Sequence, residues 1–281
     1  MKYDQNDVSL SALTLGKKTQ YHSNYDSSLL QAVPRSLNRQ ELGIVEKQPF
    51  VGCDVWNAYE LSWLSSKGKP VVALARLIVA ANSANIVESK SLKLYLNSFN
   101  QTRFGSFDEV RETMIKDLSV VAGLDIEVEL FTPEQNTDFA ASELPGHCID
   151  NLDIAVDHFE LNPEVLCIEP AAPIVEEVLH SHLLKSNCLI TNQPDWASVI
   201  IAYRGAKIDQ ETLLRYLISF RMHNEFHEQC VERIYMDISR QCSPESLSVQ
   251  ALYTRRGGLD INPYRQSGTE FDVPLYRINR Q

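Results

Sequence analysis

Two stretches of this chain, 121 residues apart, spell nearly the same thing. Ser91-Leu-Lys-Leu-Tyr95-Leu-Asn-Ser-Phe99 and Thr212-Leu-Leu-Arg-Tyr216-Leu-Ile-Ser-Phe220 both read hydroxyl, Leu, two variable residues, Tyr, Leu, a variable residue, Ser, Phe. Each has the apolar spacing of an amphipathic helix, and their surroundings agree as well. Two strand-like runs precede each: residues 56–64 and 71–80 in the first half, 178–190 and 196–203 in the second. A second helix follows each. The first copy opens it with Ser106-Phe-Asp-Glu109, a capping box in which the Ser and Glu side chains satisfy free backbone donors at the helix start. The second carries Phe226, Cys230, Ile234 and Ile238 as an apolar stripe at i, i+4 spacing. Each half closes on an alternating strand, 124–130 and 247–253.

A tandem strand-strand-helix-helix-strand unit leaves few architectures open. Strands grouped with helix pairs predict an α+β fold with antiparallel sheets and the helices on one face. The polar link at 132–151, with Pro133 and Pro145, puts one module at residues 1–150 and the other at 151–281. With 44% hydrophobic and 22% charged residues, the chain can bury a core in both.

Charge and apolar runs exclude some partners. A net charge of -11 disfavours a non-specific grip on nucleic acid or an anionic membrane. The opening MKYDQNDVSL is too polar for a secretory leader. The best apolar run, 71–81, is broken by Arg76 and falls short of the roughly 20 residues that span a bilayer. Six widely spaced cysteines without a Cys-x-x-Cys suit reduced thiols better than a disulfide framework. A soluble, cytoplasmic protein is expected.

The halves differ in complementary places, which suggests one composite site rather than two copies. The first half has Glu88-Ser-Lys-Ser-Leu-Lys-Leu-Tyr95, a carboxylate followed by two lysines. The second has Cys188 and Asp195 at the edges of a hairpin loop, and His223-Asn-Glu-Phe-His-Glu228 between its helices. Cys188 reads either as a small buried hydrophobe or as a nucleophile with Lys185 nearby to favour its thiolate. Asp195 helps such a thiol only as a proton donor, since its charge would raise the thiol pKa. Asn224 reads as an N-cap separating His223 from His227. Glu225 and Glu228 read as a charged helix face, and His180 and His182 as structural or solvated. No metal site is expected. Arg255-Arg-Gly-Gly258 is a basic turn suited to an anion or simply to solvent, and no glycine-rich dinucleotide motif follows a strand.

Glu88-Ser89-Lys90-Ser91-Leu92-Lys93-Leu94-Tyr95 resembles, at every position, the signature of the NADPH-dependent 7-cyano-7-deazaguanine reductases. Val33-Pro-Arg-Ser-Leu-Asn-Arg39, Cys188-Leu-Ile-Thr-Asn-Gln-Pro-Asp-Trp196, Asn224-Glu-Phe-His-Glu-Gln-Cys-Val-Glu-Arg233 and Tyr253-Thr-Arg-Arg-Gly-Gly-Leu-Asp-Ile-Asn-Pro263 are similar to the long, two-module form of that family. The resemblance implies tandem tunnelling-fold modules. It also implies reduction of a nitrile to a primary amine with two NADPH, late in making the queuosine base of transfer RNA. By the same matching Cys188 would be the nucleophile that forms a covalent thioimidate, Asp195 the proton donor, and His227 an aid to later proton transfer. Glu88 and Glu228 would hold the deazapurine, with Val87, Ser89, Phe226 and His227 alongside. Ser89, Lys90, Arg256 and Gly257 would take NADPH.

Two other chemistries stay open on the residues alone. One is a cysteine-dependent nitrile or amide hydrolase; the other is a zinc-dependent pterin or purine enzyme of the same fold. Tunnelling-fold sheets close by association, so edge strands predict a homodimer. Direct contact with nucleic acid or membrane is not expected.

Overall fold

The computed structural model describes residues 21–45, 47–135 and 139–281. They fall into two compact units. One holds the described residues up to Gln40 together with Val55–Gln135 and Arg256–Leu259; the other holds Glu41–Asp54, the described residues of Asn136–Arg255, and Asp260–Gln281. Among the described residues, no helix is long and apolar enough to cross a membrane.

The first unit begins with β1 (Ala32–Pro34) and most of α1 (Ser36–Glu41). Next come β2 (Val51–Leu64, of which Val55 onward lies in this unit), β3 (Pro70–Ala80) and β4 (Asn85–Val87), then α2 (Ser89–Ser98), α3 (Phe107–Ala122) and β5 (Glu127–Phe131). Its strand order is β5-β3-β2, with β3 and β5 antiparallel from Leu74↔Phe131 to Ile78↔Glu127. β1 pairs with β4 apart from these. The α3 start nearly matches the expected capping box. Ser106 Oγ accepts from the Glu109 N–H at 3.1 Å, but Glu109 Oε2 accepts from Gly105, one residue before the cap, at 2.6 Å.

The second unit contains β6 (His147–Cys148), β7 (Ile174–Ser181), β8 (Lys185–Asn187) and β9 (Pro194–Ala206), followed by α4 (Gln210–Ser219), α5 (His227–Cys242), β10 (Ser246–Tyr253) and β11 (Leu259–Gln266). The order is β11-β10-β9-β7-β6, with β8 also on β9. All these pairings are antiparallel except β6 with β7, which is parallel. The run expected as one strand over 178–190 is two: it breaks after Ser181, resumes at Lys185 and ends at Asn187. At the break the Asp150 carboxylate accepts from Ser181 Oγ at 2.6 Å and from the His182 N–H at 2.9 Å, drawing that backbone donor out of the ladder.

The duplication extends to individual hydrogen bonds. Tyr95 Oη donates to Asp117 and Tyr216 Oη to Asp237, both at 2.8 Å. Ser98 Oγ donates to the Tyr95 carbonyl and Ser219 Oγ to the Tyr216 carbonyl, both at 2.6 Å. Each first helix is capped by a carboxylate at the matching position. Glu88 accepts from the Lys90 and Ser91 N–H groups at 2.8 and 2.7 Å, and Asp209 accepts from Thr212 at 3.0 Å. The repeat also starts earlier than its sequence suggests. A short 3-10 turn, Ser27–Leu29 or Pro163–Val165, precedes each copy, and the N–H of the residue before that turn donates to Ser98 Oγ or Ser219 Oγ at 3.2 Å.

β11 is the strand that hydrophobic alternation misses, because Asp260, Asn262, Pro263 and Arg265 interrupt it. Nearly all of it is nevertheless buried. Arg265 reaches Asp54 and Glu232, each at 2.8 Å, so a buried cation is surrounded by two carboxylates. Burial disfavours its charge, but those carboxylates outweigh burial and hold the guanidinium protonated.

Candidate active site

The second unit contains five of the expected residues, Cys188, Asp195, Phe226, His227 and Glu228, and puts His227 directly beside Asp195. The hairpin carrying the first two pairs Lys185 with Trp196, Ser186 with Asp195, and Asn187 with Pro194. Cys188 therefore lies just past the strand, in the loop rather than in an apolar run. Its N–H donates to the Gln193 carbonyl at 2.8 Å and its carbonyl accepts from the Asn192 N–H at 3.0 Å. Asn192 closes this turn at φ 55°, in the left-handed region that Asn tolerates better than most residues. Of the six cysteines, all free, Cys188 is half-buried, while Cys53, Cys230 and Cys242 are buried. Burial pushes the Cys230 thiol well above its ordinary pKa and that of Cys242 up to about 11, which suits packing rather than nucleophilic attack.

The segment before α5 is fastened to this hairpin through its backbone. The Asn187 N–H donates to the His223 carbonyl at 2.8 Å, and the Glu225 N–H donates to the Asn187 carbonyl at 3.1 Å. Asn224 is not the helix cap its type suggested; α5 starts at His227, after Phe226. Its Nδ2 donates to the Cys188 carbonyl at 3.1 Å and to Asn192 Oδ1 at 2.9 Å, so this side chain clamps the loop that bears the thiol. Lys185 donates to Asn187 Oδ1 at 2.5 Å and to the Arg221 carbonyl at 2.7 Å, a second tie between the same two segments.

His227 Nε2 lies 3.4 Å from Asp195 Oδ1, with Asp195 only 3% exposed. The imidazole stacks on the Tyr253 ring at 3.8 Å and 16°. Among the described residues its buried Nδ1 has no hydrogen-bond partner. A ring fixed on one face and held by a carboxylate at one nitrogen can pass protons between that carboxylate and a ligand. His223 turns elsewhere, to Glu225 at 2.9 Å, so the two histidines serve different carboxylates. Glu225 and Glu228 are not a solvated face: both are buried, at 0% and 2% exposure. Arg233 grips Glu225 with Nε and Nη2, the shortest contact being 2.6 Å. Burial would raise the Glu225 pKa, but the hydrogen bonds from His223 and Arg233 outweigh it and hold the carboxyl below its ordinary value. Sequence reasoning read Asn224 as a helix cap and Glu225 as part of a charged face, and gave no role to Tyr253 or Arg233. Asn224 and Tyr253 act on partners far along the chain, whereas Arg233 meets Glu225 eight residues away across the start of α5.

The first unit holds the other expected residues. Val87 and Glu88 are buried at the end of β4, where the Glu88 N–H donates to the Gln31 carbonyl at 2.9 Å. Burial raises the Glu88 pKa, opposed by the two helix N–H groups and by Lys93 and Lys90. Ser89 and Lys90 are partly exposed at the start of α2. Arg256 and Gly257 belong to the same unit. Gly257 and Gly258 have φ of 58° and 76°, and the Arg256 N–H donates to the Leu259 carbonyl at 2.8 Å. That is a tight turn needing positive φ at both central residues. A Cβ on Gly257 would lie 3.1 Å from Lys93 Cδ, so the turn packs on the lysine-bearing face of α2.

Two family models match the chain. The N-terminal module of the nitrile reductases, described as "7-cyano-7-deazaguanine-reductase N-term", matches residues 21–130, and a model described as "QueF-like protein" matches residues 194–272. The chain belongs to the 7-cyano-7-deazaguanine reductase family. It is the long form, a nitrile reductase of the queuosine pathway with two tunnelling-fold modules. One solved structure, titled as the archaeosine synthase QueF-Like in the apo form, is 19% identical to the reductase over 36% of this chain and 96% of its own, with a TM-score of 0.30. Asp195, His227, Glu228, Arg256 and Gly257 lie inside the second matched range, whereas Cys188 precedes it.

Proposed function

We propose that the reductase acts through a thioimidate on Cys188, with Asp195 and His227 handling protons and NADPH as reductant. The observation carrying this is the clamped hairpin: a half-buried thiol in its loop, a buried acid across it, and an imidazole 3.4 Å from that acid. A nitrile carbon accepts hydride poorly, and a thiol adding across the triple bond turns it into a more electrophilic C=N. The new bond joins Sγ to the nitrile carbon, and the thiol proton reaches the nitrile nitrogen through Asp195, leaving a neutral thioimidate. Each reduction then places a further proton on that nitrogen, which Asp195 delivers and His227 Nε2 helps replenish. When the carbon reaches the oxidation level of an imine, the C–S bond breaks and the Cys188 thiolate leaves.

Glu228 and Glu88 are each assigned to the deazapurine by their family match, since a carboxylate accepts from ring N–H and exocyclic amine together. Glu88 keeps this capacity while capping α2, since each oxygen has taken one backbone donor and retains a second lone pair. The first unit suits a phosphate-bearing cofactor: Lys90, Lys93 and Arg256 offer cations, and the Gly257 turn keeps the surface beside Lys93 clear of a side chain. NADPH bound there supplies hydride. The reductase should act as a homodimer in the cytoplasm. Mixing it with 7-cyano-7-deazaguanine and NADPH should lower NADPH absorbance by two equivalents per nitrile. Release of the acid or amide without NADPH consumption would favour a hydrolase instead.

A further inference from the structure

Away from the hairpin loop, one thiol and two imidazoles meet at the sheet edge formed by β6. Cys148 is the register partner of His180 across the parallel β6–β7 pair, so both side chains leave the same face. His182, just past the end of β7, comes back to the same cluster. Sγ of Cys148 and one ring nitrogen of each histidine all lie within 4.8 Å of one another. The surrounding groups fix the rings. His180 Nδ1 is 2.9 Å from the Pro145 carbonyl, which only accepts, so Nδ1 carries the proton and Nε2 keeps its lone pair. His182 Nδ1 is 2.7 Å from the fully buried Ser198 hydroxyl, which can donate or accept, so this contact anchors the ring without fixing its tautomer. The rings meet edge to face, 5.4 Å between centroids. Metal-binding histidines are held in this way, one nitrogen engaged by the protein and the other turned toward the ion.

We propose that Cys148, His180 and His182 form a site for a thiophilic divalent transition-metal ion, with Zn2+ as its natural occupant. One thiolate and two imidazoles give three ligands of the type zinc prefers, with a fourth position for water. Bonds of about 2.0–2.3 Å require ligand atoms somewhat closer than 4.8 Å, so binding would draw the three side chains inward. Binding displaces the Cys148 proton to solvent. The ion would staple the two-residue β6, and the chain leading into it through Pro145, to β7. This is a structural role, separate from the chemistry at Cys188. From the sequence alone His180 and His182 read as structural or solvated; the structure adds Cys148, 32 residues before His180, which no local spacing motif reveals.

Chelator-treated protein titrated with Zn2+ and, separately, with Co2+ tests this. The expected result is one ion per chain. Cobalt should give thiolate-to-metal charge-transfer absorbance with the visible bands of a tetrahedral site. Both signals should vanish in Cys148→Ser and fall at least about tenfold in affinity in His180→Val, while Cys188→Ala keeps them. Zn2+ should also raise the melting temperature of wild type but not of Cys148→Ser, as binding to the folded state alone requires. No stoichiometric binding, retention in Cys148→Ser, or loss in Cys188→Ala would overturn the site; the last would put the metal on the catalytic thiol. If Cys148→Ser does not fold, an at least about tenfold weaker Co2+ affinity in folded His180→Val supports the site and an unchanged affinity refutes it.

Discussion

Asp195 is nearly sealed from solvent and has His227 at 3.4 Å, so replacing its proton-donating oxygen alters chemistry more than packing. Asp195→Asn should bind the deazapurine nearly as wild type but turn over at least about a hundredfold more slowly. Steady-state NADPH oxidation and calorimetric titration measure the two quantities; near-normal turnover would remove Asp195 from proton transfer. Glu228→Gln should instead weaken binding by about 1.5–3 kcal/mol, the usual worth of a hydrogen bond to a charged group. An unchanged dissociation constant would assign recognition of the base to another residue. At this scale the sequence was only partly legible. A thiol before a turn and an acid after it are common, and family resemblance rather than spacing singled out Cys188 and Asp195. Asn224 read as a helix cap and Tyr253 carried no signal, because clamping a loop 36 residues away or stacking on His227 leaves no local pattern.

The matched Tyr-to-Asp bonds between each module's two helices set up an internal comparison. Asp117 also accepts from Tyr25 at 2.6 Å, while Asp237 is buried and its pKa is raised by burial against the Tyr216 bond. Tyr216→Phe should therefore cost about 1–3 kcal/mol, and Tyr95→Phe less than about 1 kcal/mol, by denaturant unfolding. Equal costs would mean that the second donor from Tyr25 does not compensate Asp117 for the lost bond. The Glu225 pair before α5 governs acid stability. Its folded pKa lies below the unfolded value of about 4.3, so its contribution is present above that value and lost as pH falls through the folded pKa. Arg233→Met strands this buried carboxylate, should cost about 3–5 kcal/mol and should move the acid unfolding midpoint upward. An unmoved midpoint would show that His223 alone holds the charge. Helix pairs and first strands were legible because their apolar faces recur at helical and strand periods. β11 was not, because its inward Arg265 is compensated by Asp54 and Glu232, which lie far away in sequence.

At the scale of the whole molecule, the duplication was the most legible feature, since a repeated hydroxyl-Leu-Tyr-Ser-Phe pattern survives wherever the same hydrogen bonds must form. β5 pairs only with β3 among the described strands and carries Glu127 and Glu129 outward, an edge left for association or guarded by charge. Light scattering should give twice the 31.9 kDa chain mass; a single-chain mass would leave charge as the guard. The most direct measurement is native mass spectrometry of the protein mixed with 7-cyano-7-deazaguanine in the absence of NADPH. A gain of one substrate mass per chain, mapped to Cys188, reversed by adding NADPH, absent in Cys188→Ala and retained in Cys230→Ala and Cys242→Ala, is the predicted result. An adduct on any other cysteine, or full turnover in Cys188→Ala, would contradict it.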